Sequence, residues 1–476
     1  MNRKLTLILA LLLTAQCLPA CGDAPAVDVT ADTTTAADTT TAEPAFSLPE
    51  KDFGGAEFNI LVRTDRMYYL DTEQSGDVFD DAVFGRNREV EELYNVKLNY
   101  IDVVSSRDNF TTAIQGSVMA GDGAYDLVMP DYNFIPPTSG LFLNLLDFDC
   151  FNFDREWWSS GWNDNITFDG RLYSCVGDYC LDLLRNTHVV YFSKDAIAEY
   201  KLENPYELVR NGSWTHDKMH EMGQNMASDL NSDGIYDEND AYTAFYHMQT
   251  PRGLLISCGE KIADRAADGS ITTDFDDELF YDKYEKLYKL WKDNPAIATH
   301  SSSSADFTTI PYFNTFNQGR MMFVLSGLFA VDSMRTSDTE FGIVPTPKYN
   351  EAQERYYAFN HGCSPCSIIK TAKDPEMSAH VLEALNYLSS GSTVPCYYDQ
   401  VLKGKVARDS ESAEMLDLIF SNVIFDFTFI NSANVGSIFN SVFGMNTEDI
   451  SSTIASLRPS FEEAFRQFEK ELKEME

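Results

Sequence analysis

A short acidic segment between residues 229 and 240 has the side chains and the spacing of a cation-binding loop. Oxygen donors recur along it in the register of an EF-hand, in which alternating residues converge on one ion: Asp229, Asn231, Asp233, the carbonyl of Ile235, Asp237 and Asp240. Gly234 stands where that register needs a sharp turn. The segment predicts a structural Ca²⁺ site, and an acidic turn without a metal is the alternative.

Aromatic side chains are the second set of residues that could carry chemistry. Sugars present flat C–H faces and a rim of hydroxyl groups, which aromatic rings and polar side chains respectively can bind. Trp157, Trp158 and Trp162 lie in a loop-rich region, and Tyr397 lies in a predicted loop. We expect these rings to contribute to a carbohydrate site, with ordinary core packing as the alternative for each of them.

Motifs of catalysis are missing from the sequence. It contains no G-x-S-x-G, no H-E-x-x-H and no phosphate-binding glycine loop. Glycoside hydrolysis requires a pair of carboxylates, but with 74 acidic residues in the chain such a pair is expected by chance and does not indicate this activity. His216 and His220 have helical spacing but lack the Glu of a zinc protease, so we expect them on a solvated helix face. A binding protein is favoured over an enzyme; the alternatives are a surface enzyme that degrades glycans and an adhesion or scaffold lipoprotein.

The charge balance excludes one class of partner. The formal net charge at pH 7 is -38, from 36 basic and 74 acidic residues. A field of this sign repels phosphate backbones. We therefore expect no binding of nucleic acid.

The first residues form a predicted export signal. Residues 1–20 combine a basic start with an apolar run that is too short to cross a bilayer. Leu18-Pro19-Ala20-Cys21 then fits a lipoprotein cleavage site, where the Cys21 sulfur would take the lipid. Residues 21–50 are rich in Thr, Ala and Asp and are predicted to be a flexible linker. We expect a protein outside the cytoplasm and anchored to the membrane through Cys21; an ordinary secretory signal is the alternative.

The other cysteines do not form a complete set of pairs. Of the nine cysteines, seven remain beyond Cys17 and Cys21, and an odd number excludes full internal pairing. Cys363-Ser364-Pro365-Cys366 has the spacing of a redox pair but lacks a thioredoxin-like context. We expect buried, unreactive thiols, with a disulfide such as Cys175–Cys180 as the alternative.

Strand and helix patterns alternate in the part of the chain before residue 187. Phe58–Val62, Val96–Tyr100 and Asp126–Met129 are predicted strands, separated by helices that Asp77 and Asp108 are expected to cap. This order implies a parallel sheet with right-handed crossovers. Ligands of such sheets bind beyond the carboxyl ends of the strands. That edge carries the candidate ligand-binding residues Arg63, Asp65, Asp131 and Tyr132.

From His188 onward the chain carries a succession of short patterns, which follow a fixed order. They are the strand His188–Phe192, the helix start Trp214-Thr215-His216-Asp217, the acidic loop, Phe316–Phe323, Phe341–Lys348 and the helix start Asp374-Pro375-Glu376. Together they resemble the family 1 bacterial extracellular solute-binding proteins, the group that includes maltose-binding protein. The resemblance covers residues 56–476, except residues 134–170 and 390–450, which match no family pattern.

The resemblance implies an α/β fold of two lobes, of the class II periplasmic-binding-protein type, with a hinge and a cleft between the lobes. The implied lobes are residues 52–187 with 358–400, and residues 188–357 with 401–476. The implied function is capture of a carbohydrate, an oligosaccharide in our expectation, by hinge closure and its delivery to the permease subunits of an ABC importer. The resemblance also adds Phe329 to the ligand-binding candidates and assigns Trp214 to packing at a helix start.

Overall fold

The computed structural model describes residues 46–104, 106–132, 134, 140–247, 250–265, 270–273, 275–300, 311–334, 339–403, 410–431, 442 and 444–474. The chain divides into a unit Met1–Ser47 and a unit Leu48–Glu476, and the architecture below is that of the second unit. Cys21 and most of the predicted linker lie outside the described residues. Within the described ranges, no helix combines the length and the apolar character that a bilayer crossing requires.

A four-stranded sheet forms from the first part of the chain and one strand that returns from further along. Its order is β12-β3-β1-β2, with β1 at Ala56–Arg63, β2 at Val96–Val103, β3 at Leu127–Val128 and β12 at Ser367–Ile368. The predicted parallel pairing of β1 with β2 and β3 is confirmed, and β12 is antiparallel to β3. The consecutive residues Ile60, Leu61 and Val62 are all buried, because both faces of this sheet are covered.

A five-stranded mixed sheet forms the second framework. Its order is β10-β4-β9-β5-β8, with β4 at His188–Ser193, β5 at Tyr242–His247, β8 at Ile297–His300, β9 at Met321–Gly327 and β10 at Phe341–Val344. Strand β4 is antiparallel to β9 and β10, whereas β5 is parallel to β8 and β9. Every residue of β4 and β9 is buried, as expected for central strands with both faces covered.

Two small pairings contain the remaining strands of the described residues. Strands β6 (Ala263–Arg265) and β7 (Ile271–Thr273) are antiparallel to each other. Strand β11 (Ala358–Phe359) pairs in parallel with β13 (Val423–Ile424). Strand β11 lies in the segment that returns to the first sheet. Its pairing with β13 therefore connects this segment to residues close to the C-terminal helices.

The α-helices cover the sheets and connect their strands. Those of the described residues are Met67–Leu70, Val78–Tyr94, Arg107–Ala120, Ser160–Ile166, Asp182–Arg185, Lys194–Glu199, Pro205–Arg210, His216–Gly223, Thr250–Ser257, Glu278–Leu287, Pro311–Asn317, Val331–Met334, Pro375–Gly391, Thr393–Lys403, Ser410–Phe420, Phe427–Ile430 and Ile450–Glu474. Three 3₁₀ turns occupy Thr64–Arg66, Leu145–Asp147 and Leu328–Ala330, and a π-helical turn occupies Tyr288–Lys292.

Side-chain caps fix the starts of several helices. The Asp77 carboxylate accepts hydrogen bonds from the backbone N–H groups of Phe79 and Asp80, and Asp374 accepts one from Met377, as the sequence predicts. The predicted cap at Asp108 is wrong, because the Ser106 hydroxyl oxygen accepts from the Asn109 N–H instead. Both residues suit an N-cap, so the pattern located the helix start to within two residues.

Trp214 and the two histidines after it pack in the core of the second sheet. Trp214 is fully buried and its indole N–H donates to the carbonyl of Pro345 at 2.8 Å, which confirms its predicted packing role. His216 and His220 are buried as well, so the predicted solvated face is wrong. The Trp291 indole N–H donates to His216 Nδ1 at 3.2 Å, and the His220 ring lies 4.8 Å from the Trp291 ring. Trp291, which is distant in the sequence, thus covers two histidines that their polar local sequence suggested were exposed.

Candidate functional site

A network of charged side chains occupies the carboxyl end of β1. Arg63, the last residue of the strand, is buried and its guanidinium donates to both carboxylate oxygens of Asp65, at 3.0 and 2.8 Å. It also donates to the carboxylate of Asp131, which follows β3. The structure therefore brings together three of the predicted ligand-binding residues at the edge where parallel sheets bind ligands.

The network continues toward the second sheet through Arg66. Its guanidinium donates to Asp65 and to Asp182, both at 2.8 Å, and the Tyr69 hydroxyl donates to Asp182 at 3.3 Å. Burial would raise the pKa of Asp65, but the guanidinium groups of Arg66 and Arg63 outweigh it and hold that pKa below its ordinary value. Asp65 is thus an exposed carboxylate held ionised in a fixed position, and it can accept hydrogen bonds from a hydroxylated ligand.

A second cluster, Tyr68, Arg185, Asp332 and Tyr397, joins the two sheets. The Arg185 guanidinium carbon lies 4.8 Å from the centre of the Tyr68 ring and 5.7 Å from that of Tyr397. The same group donates to the Asp332 carboxylate at 2.6 Å and to the Tyr397 hydroxyl at 3.4 Å. Tyr68 follows β1 of the first sheet, whereas Asp332 follows β9 of the second. We call this set the bridging cluster.

Three members of the bridging cluster were not among the residues predicted from the sequence. Tyr68 comes five residues after the end of β1, and Arg185 comes three residues before β4. Asp332 comes three residues after Phe329, which was a candidate. All three lie close to the end of a strand. Because side chains that flank strand ends can meet at the ligand-binding edge of a sheet, this position could have been used to predict them. Tyr68 is 39% exposed and offers part of its ring to solvent.

Tyr397 belongs to the bridging cluster, but not to a loop. It lies in the helix Thr393–Lys403, so the predicted loop is wrong. Its ring packs edge-on against Phe79 at 5.9 Å between centroids and is almost fully buried. Pro395 is compatible with this helix because it stands in the first turn, where backbone N–H groups have no partner within the helix.

Trp157 and Trp158 contact a buried carboxylate of the helix Pro375–Gly391. Both are buried, and their indole N–H groups donate to the two carboxylate oxygens of Glu383, at 3.0 and 3.1 Å. Glu383 is buried within the helix Pro375–Gly391, which packs on the first sheet. Burial raises the pKa of the Glu383 carboxyl to about 7, although the two indole donors lower it. In this structure the two Trp side chains connect a loop to that helix.

Trp162, Tyr132 and Phe329 lie around the return from the second sheet to the first. Trp162 is buried, with its ring 6.4 Å from that of Tyr132 and 5.5 Å from that of Phe425. Tyr132 lies against Gly362, where a side-chain Cβ would meet the ring at 2.9 Å. Phe329 is buried with its ring 5.6 Å from that of His361. These three rings therefore pack near the segment between β11 and β12.

A histidine pair marks the place where the two connections between the sheets meet. His188 Nε2 and His361 Nδ1 are 3.2 Å apart, and the His188 ring also packs against Phe359 at 5.1 Å. His188 begins β4, and His361 follows β11. The paired imidazoles thus hold the outgoing and returning connections together beside Phe329.

The acidic loop folds around its own carboxylates. Asp229 accepts hydrogen bonds from the N–H groups of Ser232 and Gly234 at 2.6 and 2.8 Å, and Asp240 accepts from Leu230 and Asp237, both at 2.9 Å. In the part of the chain that is described, no group of three or more His, Cys, Asp or Glu side chains is arranged to hold a metal ion. Binding of Ca²⁺ by this loop stays a prediction.

Two sheets joined by paired connections, with charged and aromatic side chains where they meet, define a two-lobed binding protein. A model of the bacterial extracellular solute-binding proteins matches residues 72–390, which is more than half of the chain. The chain belongs to this family, and the predicted resemblance and fold class are confirmed. Its members are substrate-binding proteins and not enzymes, and membership implies a place outside the cytoplasm. A search of curated proteins gave no match.

Several solved structures that are similar to this chain are named for sugar transport or for a bound sugar. A sugar transporter protein from Rhizobium etli, in an open conformation, is 17% identical, with 88% of this chain and 99% of that chain covered and a TM-score of 0.55. The galacto-N-biose-/lacto-N-biose I-binding protein of Bifidobacterium longum, in complex with lacto-N-biose, is 14% identical, with 89% and 98% covered and a TM-score of 0.55. An ABC substrate-binding protein from Listeria monocytogenes, in complex with cycloalternan, is 13% identical, with 87% and 99% covered and a TM-score of 0.52. At these identities the likeness concerns the fold.

Proposed function

We propose that this protein captures an oligosaccharide for an ABC importer while a lipid on Cys21 holds it at the membrane. The observation that carries the proposal is the bridging cluster, in which the Arg185 guanidinium contacts the Tyr68 ring, which follows β1 of the first sheet, and the Asp332 carboxylate, which follows β9 of the second. Relatives of the same fold bind cycloalternan and lacto-N-biose. An aromatic face beside fixed charged groups is the chemistry that recognises a sugar.

The proposed mechanism is hinge closure around the ligand. The partly exposed Tyr68 ring would cover an apolar sugar face, and the carboxylates of Asp65 and Asp332 would accept hydrogen bonds from sugar hydroxyls. A ligand that contacts both lobes favours the closed state by its differential affinity for that state. The connections near residues 184–190 and 355–364 would supply the hinge, and the closed form would then dock on the permease subunits.

Titration calorimetry against a panel of oligosaccharides tests this function. We expect at least one glycan of two or more sugar units to bind with measurable heat, and Tyr68→Ala to weaken that binding by about 10-fold, as expected for loss of one aromatic contact of about 1.5 kcal/mol. Tyr200→Ala is the matched control, because Tyr200 is exposed to the same degree, 38%, and lies beyond the helix Lys194–Glu199. Absence of heat with every glycan would contradict the proposal.

We also propose that the acidic loop binds Ca²⁺ in a structural role. The oxygen-rich spacing of residues 229–240 supports this proposal, and the loop leads directly into β5. We expect CaCl₂ to raise the melting temperature by about 2 to 5 °C relative to EGTA, because a ligand of the native state stabilises it. Asp229→Ala with Asp233→Ala should abolish the increase, and Mg²⁺ serves as the control ion. An unchanged melting temperature with Ca²⁺ would refute a calcium site.

A further inference from the structure

A pocket of about 570 Å³ lies between the helices Pro205–Arg210 and Ser410–Phe420, both of which pack against β10. The segment that connects β10 to β11 forms a third wall. We call this the lateral pocket, and Gly212, Lys348 and Tyr356 are among the residues that line it. None of its described lining residues belongs to the bridging cluster or to the charged network at the end of β1. Its volume is within the range of pockets that bind small molecules.

The side chain of Lys348 is buried in the wall of the lateral pocket without an acidic partner. Its ammonium group has three N–H donors. The Gln353 carbonyl accepts from it at 2.8 Å, and the Glu351 carbonyl accepts from it at 3.5 Å, which is the outer limit of a hydrogen bond. Lys348 is 3% exposed, and it forms no ion pair with any described carboxylate. A buried charge is costly unless an opposite charge accompanies it.

Two neighbours place the Lys348 ammonium at the inner surface of the lateral pocket. Its nitrogen lies 5.1 Å from the centre of the Tyr356 ring. A Cβ added to Gly212 would lie 3.3 Å from the same nitrogen, so the absence of a side chain at Gly212 keeps the approach to the ammonium open. Because Gly212 and Tyr356 both line the pocket, a ligand there can reach the ammonium and an aromatic ring together.

The other charged residues of the lining decide the charge of the ligand that fits. Arg210 and Glu414 pair with each other at 2.6 Å, so their charges offset each other. Arg355 is exposed and forms no ion pair with the described residues, and Glu354 beside it is an exposed carboxylate. Lys348 and Arg355 against Glu354 leave a single positive charge without a partner. The lateral pocket is therefore suited to a monoanion.

The remaining chemistry of the lateral pocket favours an anion with an apolar body. Burial lowers the pKa of the Lys348 ammonium, and the charge of Glu351 offsets this effect only in part. A carboxylate beside the ammonium would favour its charged form and would supply the missing charge-assisted hydrogen bond. Val209, Met415 and Leu418 add apolar side chains to the walls. These surfaces can cover the hydrocarbon part of a ligand.

We propose that the lateral pocket is a second ligand-binding site, which takes a small organic carboxylate. The carboxylate would pair with Lys348, and the apolar body would lie against Tyr356 and Leu418. A carboxylate is favoured over a phosphate because it carries one negative charge, whereas a phosphate group carries about two at neutral pH. The site is independent of the proposed capture of a carbohydrate, since the two share no residue.

Saturation-transfer NMR of the full chain tests the proposal with benzoate, hexanoate, their neutral amides and inorganic phosphate as probes. Each amide has the shape of its carboxylate but not the charge. We expect at least one carboxylate to bind the wild type, and its amide to bind about 10-fold more weakly or not at all. Inorganic phosphate should not compete with the carboxylate at equal concentration.

Two variants and one control assign the binding to the lateral pocket. Lys348→Met keeps most of the apolar stem and should weaken carboxylate binding by at least about 30-fold. Leu418→Trp should abolish it, because the larger side chain fills the pocket without changing a charge. Lys286→Met is the matched control and should bind as the wild type does: the Lys286 nitrogen also lies over a tyrosine ring, 4.5 Å from the centre of Tyr349, but it pairs with Asp217.

Four results would overturn the proposal: neither carboxylate binds the wild type, an amide binds as tightly as its carboxylate, phosphate binds whereas the carboxylates do not, or Leu418→Trp binds as the wild type does. Urea unfolding shows whether each variant is folded. If Lys348→Met does not fold, the comparison of carboxylate with amide tests the role of the charge and Leu418→Trp tests the place of binding, so the decision does not depend on that variant.

Discussion

Replacing Arg185 by alanine is expected to weaken carbohydrate binding about 100-fold, which corresponds to about 3 kcal/mol. The Arg185 guanidinium lies beside the rings of Tyr68 and Tyr397 and donates to Asp332, so its loss removes the group that orders both sides of the bridging cluster. It also leaves the Asp332 carboxylate without its cation. Calorimetry with the glycan that binds the wild type measures the effect.

Two further variants test whether the charge of Arg185 or the shape of its guanidinium matters for binding. Arg185→Lys keeps the charge but cannot contact two rings and a carboxylate at once, so we expect an intermediate loss of affinity. Arg210→Ala is the matched control, since Arg210 pairs, within the described residues, with the surface carboxylates of Glu207, Glu411 and Glu414. If the wild type and Arg185→Ala bind the glycan with equal affinity, the bridging cluster is not part of the binding site.

The second large effect concerns the pH dependence of stability at Glu383. Burial raises the pKa of its carboxyl to about 7, whereas an unfolded chain has an ordinary value near 4.5. Between these values the folded state holds a proton that the unfolded state has lost, so the contribution of Glu383 to stability falls as pH rises from about 4.5 through 7. The full span corresponds to about 3 kcal/mol.

Urea unfolding of the wild type and of Glu383→Gln between pH 5 and pH 8 measures this contribution. A Gln side chain has no proton to lose, so the free energy of unfolding of the variant relative to the wild type should increase by about 2 to 3 kcal/mol from pH 5 to pH 8, most of the full span. Glu376→Gln, an exposed position on the same helix, is the control and should show a flat difference. A difference for Glu383→Gln that does not change with pH would show that the carboxyl is ionised throughout.

Sequence patterns located the elements that depend on local signals. Alternating and continuous apolar runs identified β1, β2, β3 and β4, and the Asp-capped helix starts at Asp77 and Asp374 were correct. Such signals lie within a few residues of each other, so one stretch of sequence contains all of the information. The ordered patterns after His188 then identified the family.

Contacts between distant parts of the chain were beyond such patterns. Glu383 accepts from two indoles more than 220 residues earlier in the chain, and Trp291 buries His216 from 75 residues away. The residues next to Trp157 and His216 in the sequence do not predict these partners. The same reason explains the bridging cluster, because Arg185 and Asp332 are neighbours only after both sheets have formed.

The proposed function requires two lobes that close on a captured carbohydrate. Small-angle X-ray scattering of the protein with and without the glycan that binds in calorimetry measures this closure directly. We expect the radius of gyration of the wild type to fall when the glycan saturates the site, and that of Arg185→Ala to stay unchanged at the same glycan concentration. A radius of gyration that is the same for the free and the saturated wild-type protein would contradict capture by hinge closure.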